Sequence, residues 1–175
     1  MKTKFHEHLS SINIKASKKL ILLVAIMATV LTQKSFAQDS TKQYQLPQLL
    51  TYYYNIKNAL VAGDPSSAST NAQAFVKTAN SIDYKLISEG NINTLVKDAG
   101  NIAGAKDVKT QRNYFASFSA NMAAVAKSVK LTDQPVYMAY CPMKKASWLS
   151  NEKEIKNPYY GSAMLTCGQV TETIK

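Results

Sequence analysis

The stretch LPQLLTYYYNIKNALVAGDP, residues 46–65, carries the clearest helical pattern of this chain. Its apolar residues recur at intervals of three and four positions: Leu46, Leu49, Tyr53, Ile56 and Leu60. This spacing places them on one face of an α-helix that packs against a partner helix. Gly63 is placed to end the helix, and Asp64 with Pro65 predicts the N-cap and the first turn of the next one.

Three further segments carry a similar helical periodicity. The second helix has the apolar positions Ala68, Ala72, Phe75, Ala79 and Ile82. The third runs from about Asn91 to Ala103, ends at Gly104, and turns inward Ile92, Leu95, Val96, Ala99 and Ile102. The fourth follows an Asp107 cap and carries Val108, Phe115, Phe118, Met122, Val125 and Val129. Four helices with short connections predict an antiparallel four-helix bundle.

The pattern changes at Leu131, where the C-terminal Cys/Met segment, residues 131–175, begins. Residues 136–141 and 169–174 alternate apolar and polar side chains, which predicts two short strands. A loop containing Trp148 joins them. If the strands pair, Cys141 and Cys167 become neighbours on one end or flank of the bundle. The predicted fold is therefore mainly α, with a C-terminal segment of two strands and a loop.

Residues 1–37 have the pattern of a secretory signal peptide. A basic stretch is followed by the apolar run from Leu20 to Val30, and Ser35-Phe36-Ala37 is a small-x-small cleavage site. The apolar run is shorter than the roughly 20 residues that span a bilayer. We expect cleavage after Ala37, export to the periplasm, no stable membrane span afterwards, and a single domain over residues 38–175.

The composition of residues 38–175 excludes several function classes. Six of the 21 basic residues and one of the 11 acidic ones lie in residues 1–37, so the net charge falls from +10 to +5. Arg112 is the only arginine, whereas nucleic-acid binders cluster arginine and lysine on one face. Both histidines, His6 and His8, precede residue 38, which excludes Ser-His and Cys-His nucleophile pairs and blue-copper sites. We therefore expect neither nucleic-acid binding nor enzyme activity.

The two cysteines of the chain each have a methionine nearby. Cys141 stands two residues before Met143, and Met164 stands three residues before Cys167. Thiolate and thioether sulfurs together are soft ligands that select Cu(I) or Ag(I) over harder ions. The sequence therefore predicts a copper(I) or silver(I) site built from these four residues. Lys144 and Lys145, next to Cys141 and Met143, favour the thiolate form of the cysteine but repel a cation.

Two other interpretations of the cysteines stay open. Exported proteins with two cysteines commonly join them, and closing this loop would stabilise the fold by about 3–4 kcal/mol. A zinc site would need two further ligands, such as Glu152 or Glu154. The disulfide and the metal site can also be two redox states of one site.

The C-terminal segment resembles a known family. The resemblance rests on Tyr140-Cys-Pro-Met, Trp148-Leu149, Ile155-Lys-Asn-Pro-Tyr-Tyr-Gly161, Met164-Leu165 and Cys167-Gly168. These residues are similar to the domain of unknown function 3347 family, small exported proteins whose module is also appended to periplasmic adaptor subunits of copper/silver-type efflux pumps. The resemblance covers most of residues 38–175, the helical part more loosely. It implies metal handling, with Cys141, Met143, Met164 and Cys167 as ligands.

These observations lead to one expected function and one alternative. The expected function is a periplasmic protein that binds Cu(I) or Ag(I) and buffers the ion or delivers it to a heavy-metal efflux system. Its partners would be the metal ion and an efflux adaptor or another envelope protein. The alternative is an envelope interaction module without metal, in which a Cys141–Cys167 disulfide staples the C-terminal segment.

Overall fold

The computed structural model describes the backbone from Lys34 onward and the side chains from Tyr44 onward. Residues 1–33, and with them most of the expected signal peptide, lie outside the described residues. The chain divides into two compact units, Met1–Thr41 and Lys42–Lys175. All contacts described below belong to the second unit. None of the helices described from Lys34 onward combines the length and apolarity needed to cross a membrane.

Four α-helices are described, as the periodicity predicts. They are α1 (Lys34–Ala62), α2 (Pro65–Ala79), α3 (Glu89–Gly104) and α4 (Val108–Ser128). Helix α3 begins two residues before the expected Asn91, because the Ser88 side chain caps it by accepting a hydrogen bond from the Asn91 N–H. Helix α2 packs on α3, and α3 packs on α4.

The turn between α1 and α2 forms as the sequence predicts. Gly63 has a φ of +74°, and the N–H groups of Asp64 and Gly63 donate to the carbonyls of Ala59 and Leu60. These two bonds satisfy the free carbonyls at the end of α1 in a Schellman motif, which needs a left-handed residue. The Asp64 carboxylate then accepts a hydrogen bond from the Ser67 N–H at 2.9 Å, and Pro65 opens α2.

Aromatic rings fill the centre of the helical region. Tyr53 on α1 lies 5.5 Å from Phe115 and 5.5 Å from Phe118, both on α4, measured between ring centroids. Phe75 on α2 meets Phe118 edge-on at 4.8 Å. All four rings are fully buried. Edge-to-face and offset ring pairs add specific attraction to this burial, so these rings hold α1, α2 and α4 together.

The C-terminal segment contains three strands, so the prediction of two strands and a loop was wrong. They are β1 (Val136–Cys141), β2 (Ala146–Ser150) and β3 (Gln169–Ile174), antiparallel in the order β2-β1-β3. The expected pairing of the first and last strands is confirmed, with Tyr140 opposite Gln169. Strand β2 escaped prediction because Trp148, Leu149 and Ser150 are all buried, which removes the alternation typical of a strand with one exposed face.

Strand β2 joins the sheet to the helices. The Leu149 N–H donates to the Tyr53 hydroxyl at 2.9 Å, and the same hydroxyl forms a hydrogen bond of 2.5 Å with the Ser119 Oγ. The Tyr159 ring lies 5.8 Å from Phe115 and 6.0 Å from Trp148. The sheet therefore lies on a flank of the helical region, with β2 inside and β3 outside.

Candidate metal site at the cysteine pair

The fold brings the two cysteines together. The Sγ atoms of Cys141 and Cys167 are 3.5 Å apart, and both cysteines are free. Cys141 is buried, whereas Cys167 is partly exposed. This separation is a nonbonded contact, since a disulfide bond is about 2.05 Å long.

Cys141 is the last residue of the central strand. The chain then turns through residues 142–145 and returns as β2, with Cys141 opposite Ala146. Lys145 closes this turn with a φ of 54°. The turn directs the N–H groups of Met143 and Lys144 toward the Cys141 sulfur, and both donate to it. The part of the site around Cys141 is thus built from backbone donors as well as from the cysteine.

Cys167 lies between a short 3-10 helix, Gly161–Met164, and strand β3. Its N–H donates to the Met164 carbonyl at 3.1 Å. Gly168 follows with a φ of +145°, and a Cβ there would lie 2.7 Å from the Trp148 ring and 3.0 Å from the Tyr140 carbonyl oxygen. Glycine is therefore required after Cys167, both for the backbone angle and for the close approach of Trp148.

Asn157 links the two cysteines, a role that the sequence alone does not predict. Its side chain is fully buried, donates to the Cys167 carbonyl at 2.7 Å and forms a hydrogen bond with the Cys141 sulfur. Its Oδ1 accepts from the Tyr159 N–H at 2.8 Å, and its own N–H donates to Leu165 at 2.8 Å. The Asn157-Pro158 pair signals a turn in the sequence, but only the tertiary structure shows the amide reaching both cysteines.

The two thiols differ in acidity. Burial raises the pKa of Cys141, but hydrogen bonds from the Lys144 and Met143 N–H groups, Asn157 and Cys167 outweigh burial and place the pKa below its ordinary value. The pKa of Cys167 is raised, first by its hydrogen bond to Cys141 and then by burial. Because the two sulfurs interact, the pair loses its two protons in coupled steps.

The lysine beside Cys141 acts through its backbone. The Lys144 ammonium donates to the Asn113 Oδ1 on α4 at 2.9 Å, while its N–H group bonds the Cys141 sulfur. Among the causes of the lowered Cys141 pKa is therefore a backbone hydrogen bond from Lys144, which the sequence does not reveal.

The two methionines lie at the surface beside the cysteines. Met143 exposes 62% of its area, and its N–H also bonds the Cys167 sulfur. Met164 exposes 39% and ends the 3-10 helix three residues before Cys167. The backbone of each methionine thus contacts the cysteine pair, and both side chains are open to solvent.

The glutamates considered as zinc ligands are engaged elsewhere. Lys156 forms ion pairs of 3.0 Å with both Glu152 and Glu154. Within the side chains described from Tyr44 onward, no three residues from histidine, cysteine, aspartate and glutamate form a group that would hold a metal ion. A metal at the cysteine pair would therefore take sulfur ligands, or exogenous ones, beyond the two thiolates.

Comparison with known proteins identifies the family through the helical region. The family described as "Protein of unknown function (DUF3347)" matches residues 49–134. The helical region of the chain thus matches this family. The matched residues run from α1 through α4 and end before β1, so the cysteine pair lies outside the match. No curated protein and no solved structure matches the chain.

Proposed function

We propose that this protein binds Cu(I) or Ag(I) through the cysteine pair in the periplasm, and buffers the ion or delivers it to a heavy-metal efflux system. One observation carries the proposal: the 3.5 Å separation of the Cys141 and Cys167 sulfurs. The expected role is binding and transfer of the ion, without an enzymatic reaction. The metal is the cargo of the site.

The sulfur geometry supports a shared metal ion. Two thiolates that bind one ion at about 2.3 Å with a tetrahedral angle would lie about 3.8 Å apart. The observed 3.5 Å is within a few tenths of an ångström of that separation. Backbone N–H groups that donate to the sulfurs stabilise thiolate charge, which a soft cation requires.

The exposed methionines suit transfer of the bound ion to a partner. Thioethers are weaker ligands than thiolates, so Met143 and Met164 would complete the coordination of the ion and then release it to a partner. Met143 and Met164 are 62% and 39% exposed, so a partner can reach both from solvent. Cys141, in contrast, is fully buried and would be the permanent ligand.

The disulfide-stapled interaction module is the second candidate function, and the same sulfur contact favours it. Closing the bond requires the sulfurs to approach by about 1.5 Å, and the loop between them, over a sequence separation of 26, would contribute about 3–4 kcal/mol. In that module the methionines have no ligand role. Met143→Leu and Met164→Leu would then leave function unchanged, because the two side chains have similar volumes.

Anaerobic titration of the reduced protein with Cu(I), against a competing chelator and after a thiol count, separates the two candidates. Metal binding predicts tight one-to-one binding that is lost in the Cys141→Ser, Cys167→Ser double variant. Met143→Leu with Met164→Leu should weaken binding, and Met122→Leu, a buried methionine of α4, is the matched control. Absence of binding, with both thiols readily locked in a disulfide, contradicts the metal proposal and supports the staple.

Export and the arrangement of the helices belong to the same proposal. We expect removal of residues 1–37, so that the protein recovered from the periplasm begins at Gln38, measured by intact mass. A mass that retains residues 1–37 would contradict export by a cleaved signal. The antiparallel four-helix bundle is the arrangement that we propose for α1 to α4.

A further inference from the structure

We propose that Cys141 and Cys167 form an ordered dithiol–disulfide couple, in which Cys167 reacts first with an external disulfide and Cys141 then closes the intramolecular bond. The reagent is a small organic disulfide or a protein disulfide. The proposal goes beyond metal binding, and it applies to the metal-free protein.

Unequal access to solvent sets the order of reaction. Cys141 has 0% exposed area, whereas Cys167 is partly exposed. The residues on the solvent side of Cys167 are open as well, since Met164 and Leu165 expose 39% and 40% of their area. A disulfide too large to enter the core can therefore contact the Cys167 sulfur but not the Cys141 sulfur.

The closeness of the two sulfurs makes the second step, closure of the intramolecular disulfide, possible. The Cys141 sulfur lies 3.5 Å from the Cys167 sulfur, the separation of a near-attack contact. The backbone of Cys167 is held by hydrogen bonds to the Met164 carbonyl and from the Asn157 amide. The Cys167 main chain is thus held at its N–H and at its carbonyl, which keeps its sulfur beside that of Cys141.

The chemistry balances as two thiol–disulfide exchanges. The Cys167 sulfur loses its proton to solvent, attacks one sulfur of RSSR and expels RS⁻, leaving a mixed disulfide. The Cys141 sulfur, also without its proton, attacks the Cys167 sulfur and expels the second RS⁻. The two protons are taken up by the two released thiolates, and two electrons pass from the cysteines to RSSR.

The consequence for the metal site rests on the proposed function. A Cys141–Cys167 disulfide removes both thiolate ligands at once, so oxidation and metal loading exclude each other. A disulfide of the surrounding medium would thus control whether the protein takes up Cu(I) or Ag(I).

The test uses the reduced, metal-free whole chain and the aromatic disulfide 5,5′-dithiobis(2-nitrobenzoate), whose released thiolate absorbs light. Wild type should release two equivalents and retain no adduct by mass. Cys141→Ser should release one equivalent and keep its adduct on Cys167, because no second thiol is left to displace it. Cys167→Ser should react about tenfold more slowly than Cys141→Ser, because its remaining thiol is buried. Equal rates for the two variants, or a stable adduct on the wild type, would overturn the proposal.

A second measurement needs no substitution. Substoichiometric iodoacetamide is added to the folded wild type, and the labelled peptides are mapped by mass spectrometry. We expect the label on Cys167 to exceed that on Cys141 by about tenfold. Equal labelling would overturn the order of reaction even if Cu(I) binds, and a failure to bind Cu(I) leaves this result unaffected.

Discussion

The helical region and the C-terminal segment bury their apolar residues in different ways. Helices α1, α2 and α4 meet around Tyr53, Phe75, Phe115 and Phe118, all with 0% exposed area. The sheet has no comparable centre. Its strand β2 is buried against the helices, but β3 is exposed along almost its whole length. The C-terminal segment therefore depends on the helical core.

This difference shows how a reactive pair of sulfurs can lie at the surface of a stable protein. The helical region supplies the burial, and specific contacts join it to the C-terminal segment, such as Tyr53 to Leu149 and Phe115 to Tyr159. The part of the sheet next to Cys167 is left open to partners. We expect substitutions in the two regions to separate stability from sulfur chemistry.

The largest effect is expected from Phe118→Ala in the helical core. Phe118 is fully buried and contacts Tyr53, Phe75 and Phe115, so its removal leaves a cavity and should lower the free energy of unfolding by about 3–5 kcal/mol. The measurement is urea denaturation followed by circular dichroism. Val170→Ala on the exposed β3 is the control, with an expected change under about 0.5 kcal/mol. Similar losses of stability for both variants would contradict the difference between the two regions.

Gly168→Ala tests the packing behind Cys167. The new Cβ would lie 2.7 Å from the Trp148 ring at a φ of +145°, so we expect a loss of about 2–3 kcal/mol and a displaced Cys167. Gly100→Ala is the matched control, because no atom lies within 4 Å of a Cβ there and alanine favours the helix by about 0.5–1 kcal/mol. Denaturation and the rate of disulfide closure measure the two effects. A neutral Gly168→Ala variant would contradict the close approach.

Tyr53→Phe tests the link between the regions. The hydroxyl accepts a hydrogen bond from the Leu149 N–H and bonds the Ser119 Oγ, so its loss leaves a buried N–H without this partner. We expect a cost of about 1–3 kcal/mol and faster hydrogen exchange at Leu149. Tyr114→Phe, on an exposed ring of α4, should change stability by less than about 0.5 kcal/mol. Unchanged exchange at Leu149 would show that the sheet is held by other contacts.

Lys57→Met is expected to have the smallest effect, and one that depends on pH. Lys57 is 2% exposed, and its ammonium donates to the Ser150 Oγ at 3.4 Å. Burial lowers the pKa of Lys57. The folded protein therefore binds the ammonium proton less tightly than the unfolded chain does. Stability of the wild type should therefore rise with pH between the lowered pKa and the ordinary value of 10.5.

Methionine removes the charge, so we expect stabilisation by about 1 kcal/mol at pH 7 that shrinks as the pH approaches 10.5. Lys97→Met on the exposed face of α3 is the control and should show no such trend. The measurement is urea denaturation at several pH values. A constant difference across the alkaline range would contradict a lowered pKa for Lys57.

Much of the fold follows from local patterns. The Leu49–Leu60 periodicity, the Gly63 stop and the Asp64 cap predict α1 and α2, because each acts within a few residues. Strand β2 and the role of Asn157 did not follow from the sequence. Trp148, Leu149 and Ser150 are buried by helices distant in the chain, and the Asn157 amide reaches a strand 16 residues earlier. The first and last strands were predicted from their own residues, and their expected pairing is confirmed.

Local patterns are enough to predict the four helices, the Asp64 and Asp107 caps and the supply of soft ligands, since helix periodicity and residue chemistry are local properties. Tertiary contacts set three features of the site: the two sulfurs lie 3.5 Å apart, Cys141 is buried while Cys167 is partly open, and backbone N–H groups point at them. The physical reason is that distance, burial and hydrogen bonding at this site arise from β1, β3 and the Asn157 loop together. Their contacts join residues far apart in the chain, and no local pattern encodes them.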